Sequence, residues 1–273
     1  MTIALWVAGA LAALLFVGWL GLQVPPAPFP DYPGQVVASP SRVPLPSGLP
    51  APVERYYRLH YGDSVPAVDS VVVTGRGRIR PMGVWFPARY RFTHDAGRGY
   101  RHYIEATWFG LPFMKVNERY VDGESLIEIP VVGTDSGPKV EQAANLGMWA
   151  ELSAAAPSVL VTDPRVRWLP IDERTAALVV PFGDGETDSF TVRFDPATGD
   201  LATLEAMRYR DSSSSAKVLW IARTEPGGTL TEARLGNVGS ATWLDMGSPW
   251  AYFTTEDLRY DVDVDTYVRA KGL

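Results

Sequence analysis

Two of the three histidines, His94 and His102, flank Gly97, and a chain reversal there would bring their imidazoles together. Imidazole is the commonest protein metal ligand, but a zinc site needs at least three protein donors. Asp95 is adjacent and Glu105 is near, and neither completes a recognised ligand spacing. The sequence therefore predicts a hydrogen-bonded pair across a hairpin, with no metal and no cofactor. Glu118, Asp122, Glu124 and Glu128 crowd another hairpin. Two carboxylates held about 5 to 9 Å apart can cleave glycosides as acid and base, but at a turn such groups are ordinarily solvated, and Arg119 is at hand to pair with Glu124 or Glu128. Ser212-Ser213-Ser214-Ser215 lacks a Gly-x-Ser-x-Gly frame and reads as a loop. Gly75-Arg76-Gly77 lacks the further glycine and helix of a dinucleotide site and reads as a strand bend. No catalytic residue is assigned.

Glu151 is different because it follows Met148-Trp149-Ala150 on an apolar helix, where a buried carboxylate requires a partner. Arg165 or Arg167 is the expected partner, in a structural ion pair; contact with a ligand is the alternative role. That helix is predicted over Val140 to Ala155, with Val140, Ala144, Met148 and Leu152 on one stripe and Pro157 ending it. The rest of the folded part breaks into short runs rich in Val, Tyr, Phe, Trp and Thr: 71–79, 86–93, 100–108, 114–121, 125–131, 176–180, 190–194, 201–209, 218–223, 229–235, 241–244 and 258–264. A short helical turn precedes them at Val53 to Tyr57. Asp122-Gly123 and Pro196 to Asp200 mark hairpin turns. With Gly97 turning the chain, a register pairing Phe92 with Ile104 also pairs Tyr90 with Ala106 and Ala88 with Trp108, on one apolar face. The predicted fold is mainly β: a long curled antiparallel sheet or half-barrel with one central helix, preceded by a transmembrane helix.

The anchor is predicted over residues 3–24. Thr2 to Val24 carries no charge, has Trp6 and Trp19 toward its ends, and is stopped by Pro25-Pro26, a span suited to a bilayer core of about 30 Å. A cleaved signal peptide is disfavoured by the missing basic n-region and cleavage site. Residues 1–24 thus form the anchor, 25–51 a Pro-rich spacer holding the domain off the bilayer, and 52–273 one β-rich domain, placed outside the cytoplasm. A net charge of −6 without basic clusters sets nucleic acid aside, and the absence of cysteine excludes disulfides and thiolate chemistry.

Pro52-Val53-Glu54-Arg55-Tyr56-Tyr57, Met148-Trp149-Ala150-Glu151 and Pro157 to Trp168 resemble a family of uncharacterised bacterial membrane-anchored proteins with no assigned activity. The strand pattern looks like the half-barrel of periplasmic lipoprotein carriers of the LolA and LppX kind, which implies a concavity for an apolar ligand. Ser153-Ala154-Ala155-Ala156 stands where the resemblance leads one to expect an aromatic residue before the proline, a departure that weakens the ligand inference if that aromatic touches ligand. The expected lining is Tyr90, Phe92, Trp108, Met148, Trp149, Glu151 and Trp168, unless these side chains fill the space themselves. The function expected is a noncatalytic, membrane-anchored domain binding a lipid or acyl chain. A structural or interaction module of the cell envelope is the second reading, with its protein partner unknown, and a hydrolase is the third.

Overall fold

The computed structural model describes residues 2–33, 40–183, 185–229 and 236–272. Helix α1 (Thr2–Gly21) is apolar all round and touches the rest of the chain only near its C-terminal end. A short ladder, β1 (Arg42–Pro44) with β2 (Ser64–Pro66), brackets α2 (Ala51–Tyr61). α2 has Pro52 in its first turn, where a missing N–H costs nothing, and buries Val53, Tyr56 and Tyr57. Tyr57 donates its hydroxyl to the Pro157 carbonyl at 2.6 Å, tying this helix to the far half of the domain.

The first half of the sheet then runs as a meander: β3 (Ser70–Ile79), β4 (Phe86–Asp95), β5 (Gly99–Trp108), β6 (Leu111–Val121), β7 (Glu124–Ile129) and β8 (Gly133–Ser136). The chain leaves that edge as α3 (Pro138–Ala155), turns through α4 (Val159–Thr162), and enters the opposite edge as β9 (Arg167–Pro170). A second meander, β10 (Thr175–Phe182), β11 (Glu186–Phe194), β12 (Leu201–Arg208), β13 (Val218–Thr229) and β14 (Gly236–Trp243), leads to β15 (Pro249–Tyr260), and α5 (Asp265–Arg269) follows. β15 lies between β14 and β3, so the two meanders form one antiparallel sheet of 13 strands, in the order β8-β7-β6-β5-β4-β3-β15-β14-β13-β12-β11-β10-β9.

The sheet must curl. α3 meets β6, β7 and β8 at one end and β10, β11 and β12 near the other. A flat sheet would hold β8 and β10 about 50 Å apart at ~4.8 Å per strand, whereas a helix of 18 residues is only about 27 Å long. α3 therefore lies in a concavity, where Leu146, Met148, Trp149 and Leu152 are buried with Tyr90, Tyr100, Leu178, Phe190 and Leu204 of the sheet. Two glycines permit the join between the halves: a Cβ at Gly75 or Gly77 would sit 2.0 Å from a carbonyl oxygen of β15.

Two expectations are corrected here. The β4–β5 hairpin centres on Gly97 (φ 71), so Phe92 pairs with His102, Tyr90 with Ile104 and Ala88 with Ala106, two residues from the predicted register. A slip of two preserves the faces, so the apolar side was assigned properly although its partners were not. The strand predicted at 229–235 falls almost wholly outside the described residues. The Pro-rich segment is not a free spacer over 25–33. A polyproline chain leaves its carbonyls without internal partners, and arginines on the convex face donate to them: Arg76 to Pro26, Arg89 to Ala27 and Pro28, Arg91 to Pro30. Phe29 lies beneath the Arg89 and Arg91 guanidinium groups, and Tyr32 is buried in a small outer core with Val72, Val262, Val264 and Val268. The segment is a strap across the sheet.

Candidate functional site

Alternation along the strands sends Tyr90, Phe92 and His94 of β4, and Tyr100 and His102 of β5, to the concave face, where α3 crosses them. α3 does not fill the concavity. Between its C-terminal half and β3, β4 and β12 to β15 lies a cavity of about 130 Å³. Its wall is mostly apolar, formed by Tyr90, Phe92, Leu204, Trp220, Phe253 and Leu258, with Glu151, Ser153, Ala154 and Ala155 from the helix. Ala154 and Arg223 are exposed where it meets the outside. Of the small residues noted in the sequence, Ser153, Ala154 and Ala155 thus stand on the cavity wall. With no large side chain at 153–156, the helix leaves open a space that an aromatic ring would take up.

Glu151 forms the polar corner of this space. Its side chain is 27% exposed, and one carboxylate oxygen lies 3.1 Å from Nε2 of His94 and 2.5 Å from Nε2 of His102. The partner is therefore the histidine pair; Arg165 pairs instead with Asp163, and Arg167 is exposed. His102 is clamped between the rings of Tyr100 (3.8 Å, stacked) and Phe92 (4.4 Å), and His94 is wholly buried. The contacts are close, yet none has the geometry of a well-aligned hydrogen bond. Both nitrogens of His94, Nε2 of His102 and Oε2 of Glu151 are buried without a hydrogen bond among the described residues. Burial alone would push the Glu151 carboxyl up; the imidazoles of His102 and His94 outweigh it and hold the group down at about 2. Burial pushes the His94 imidazole below its ordinary 6.5, against the pull of Glu151.

Further along the concave face, Tyr100 donates its hydroxyl to Glu118. The Arg208 guanidinium lies over Trp220 at 4.6 Å and approaches α3 at Gly147. Burial pushes Arg208 below its ordinary value, against the opposing effects of Glu118, Tyr100 and Glu151. Gln142 and Asn145 of α3 donate to Asp188 at 3.0 Å each.

Of the residues predicted to line a cavity, Tyr90, Phe92 and Glu151 do so. Met148 and Trp149 lie on buried sides of α3 as core. Trp168, on the edge strand β9, donates its indole N–H to the Leu160 carbonyl at 2.9 Å, away from the cavity. Trp108 is displaced furthest: it is 44% exposed at the end of β5 and donates to the Gly18 carbonyl of α1. The hairpin acids do not converge, since Glu118 accepts from Tyr100, Glu128 from Asn117 and Asp122 from Arg269, while Arg119 donates to the Ala270 carbonyl. Sequence reasoning missed Leu204, Trp220, Phe253 and Leu258, all on strands of the second half. Their alternation on β12, β13 and β15 was the available signal.

No curated protein matches the chain. It is similar to several solved structures at low identity. A LolA superfamily protein from Nitrosomonas europaea is 12% identical over 81% of this chain and 98% of that one, with a TM-score of 0.48. A putative outer membrane lipoprotein-sorting protein domain from Vibrio parahaemolyticus is 11% identical over 79% and 93%, with a TM-score of 0.42. A DUF1329 family protein from Desulfovibrio piger is 13% identical over 81% and 98%, with a TM-score of 0.39. The model of one family matches residues 39–255, from before the first short ladder into β15, and the chain accordingly belongs to the family of unknown function DUF6544.

Proposed function

We propose that this protein is a membrane-anchored, noncatalytic binding domain that takes the apolar end of a lipid or acyl chain into the space between α3 and the sheet. The observation that carries the reading is the cavity of about 130 Å³ with its apolar wall, reached beside Ala154 and Arg223. An apolar cavity of about 150 Å³ is enough to hold benzene, so this one admits the end of a chain or a ring, not a whole lipid.

The membrane part of the reading rests on α1 and on what lies beside it. α1 opens a span, Ile3–Gln23, long and apolar enough to cross a membrane, and its most apolar stretch has a mean hydropathy of 2.3 and is not buried in the protein. Trp108, Phe109, Leu111 and Phe113, at the β5–β6 tip, are exposed apolar side chains next to the end of that helix. The Phe109 N–H donates to the Gly21 carbonyl at 2.9 Å. A Cβ on Gly21 would meet the Trp108 ring at 2.2 Å, so glycine is what lets the tip seat there. An indole touching Gly18 from a tip beside the helix end supports this reading, since tryptophan favours the membrane boundary. A patch of this kind is covered by lipid when α1 spans the bilayer.

The test uses the full chain in detergent, with organic extraction and mass spectrometry for co-purified lipid and uptake of a fluorescent fatty acid. A stoichiometric acyl species is expected. Ala154→Trp should abolish uptake by plugging the mouth, with a change in stability within about 0.5 kcal/mol, as for other surface substitutions. Absence of both extracted lipid and uptake in the wild-type chain would refute the reading.

A further inference from the structure

We propose that His94, His102 and Glu151 form a divalent-metal site of the zinc type, with its open coordination position facing the cavity. One donor atom from each residue lies within 4.8 Å of the other two, and the three come from different elements, β4, β5 and α3. Tetrahedral zinc, with Zn–N bonds of about 2.0 to 2.1 Å, sets its donor atoms about 3.3 Å apart. The His94–Glu151 contact, at 3.1 Å, meets that spacing as it stands, and the His102–Glu151 contact, at 2.5 Å, reaches it by a rotation of the carboxylate. Two imidazoles and a carboxylate leaving one position open is a donor set that zinc takes at reactive sites.

The second observation is what these atoms lack. Three buried imidazole nitrogens and a carboxylate oxygen have no hydrogen bond among the described residues, in an interior where almost every such atom ordinarily has one. A cation among the three atoms would satisfy Nε2 of both rings and the carboxylate together. The rings are also held in place: Phe92 and Tyr100 fix the plane of His102, and His94 has no exposed surface. The charge around them accepts a dication. The concave face carries Glu118 and Asp188 besides Glu151, with the Arg208 guanidinium among them.

The proposal is independent of the apolar ligand. It adds that the polar corner of the cavity offers a metal with a free position, to which a carboxylate or phosphate oxygen on a bound amphiphile would coordinate. The full chain, freed of metal with a chelator in detergent, is titrated with zinc alone in equilibrium dialysis, and cobalt is used as a spectroscopic probe. One zinc per chain is expected, with a cobalt visible spectrum of tetrahedral type and a rise in thermal stability on metal addition. His102→Gln and Glu151→Gln should each weaken zinc binding by more than about 100-fold, since even partners one shell out are worth 10- to 100-fold. If either variant fails to fold, the wild-type stoichiometry and cobalt spectrum still decide. No saturable uptake by the wild-type chain, or uptake unchanged in folded variants, would overturn the proposal, the latter by placing the metal on surface acids. Because the readouts need no lipid, a failure here is distinct from a failure of lipid uptake.

Discussion

The two faces of the sheet handle charged groups in opposite ways. On the convex face Arg76, Arg89 and Arg91 reach carbonyls of the 25–33 strap, and Arg76 and Arg89 also reach Glu256 and Glu105. On the concave face His94, His102 and Glu151 are brought together and left without aligned hydrogen bonds. A polar group buried at a cost persists when something offsets that cost. The convex groups have their offset within the chain, in a strap that itself needed donors. The concave groups point to a partner supplied from outside, and they do so at the edge of a cavity. Charged groups are structural on one side of the sheet and, in our proposal, a binding element on the other.

The largest effect separating the two faces should come from Trp149→Ala. Trp149 has no exposed surface, and the end of its ring packs against the Gly97 turn, so denaturant unfolding should show a loss of about 3 to 5 kcal/mol. A loss below about 1 kcal/mol would mean that α3 is held more loosely than its burial indicates. Next comes acidification of the chelator-treated chain. Both His94, depressed from 6.5, and Glu151, depressed from 4.5 to about 2, bind fewer protons folded than unfolded. Their contribution is complete above pH 6.5 and lost as pH falls, first through the His94 range and then from about 4.5 toward 2. Thermal unfolding against pH should show this decline, and Glu151→Gln should remove its lower limb. The smallest effect belongs to the convex face. Phe29→Ala removes the ring beneath two arginines, interactions each worth about 0.5 to 1 kcal/mol at exposed sites. Limited proteolysis within 25–33 should quicken while the concave cavity keeps its ligand. Loss of ligand in Phe29→Ala would mean that the two faces are coupled.

Much of this arrangement was legible in the sequence. The helix predicted from Val140 to Ala155 is Pro138–Ala155, and most of the described runs of β-branched and aromatic residues became strands, because period and turn chemistry are local; the run predicted at 258–264 catches only the last three residues of β15, which begins at Pro249. The short strands β8 and β9 escaped detection: edge strands such as Gly133–Ser136 bury little and carry no apolar alternation. At the site, the histidine pair was visible across its hairpin. Its third member was not, since Glu151 reaches it only because a curled sheet carries α3 over β4 and β5, and no spacing in the chain records that crossing. The strap was read as a spacer because composition describes a proline-rich segment by itself. The arginines that hold it, Arg76 on β3 and Arg89 and Arg91 on β4, lie at alternate positions with Arg78 and mark one strand face studded with donors.

β15 gives the domain a particular order of assembly. It is the strand between β3 and β14, pairing Ala251 with Ile79 and Tyr260 with Val71 on one side and Ala251 with Ala241 on the other. Each meander can zip along its own hairpins, but nothing joins them edge to edge until this late strand arrives, and pairings so distant in sequence are the slow ones to form. During synthesis, and during any passage across a membrane, the first meander would wait with the edge of β3 unpaired. Unpaired strand edges invite association with other chains, so the interval before β15 docks is when the nascent domain most needs protection.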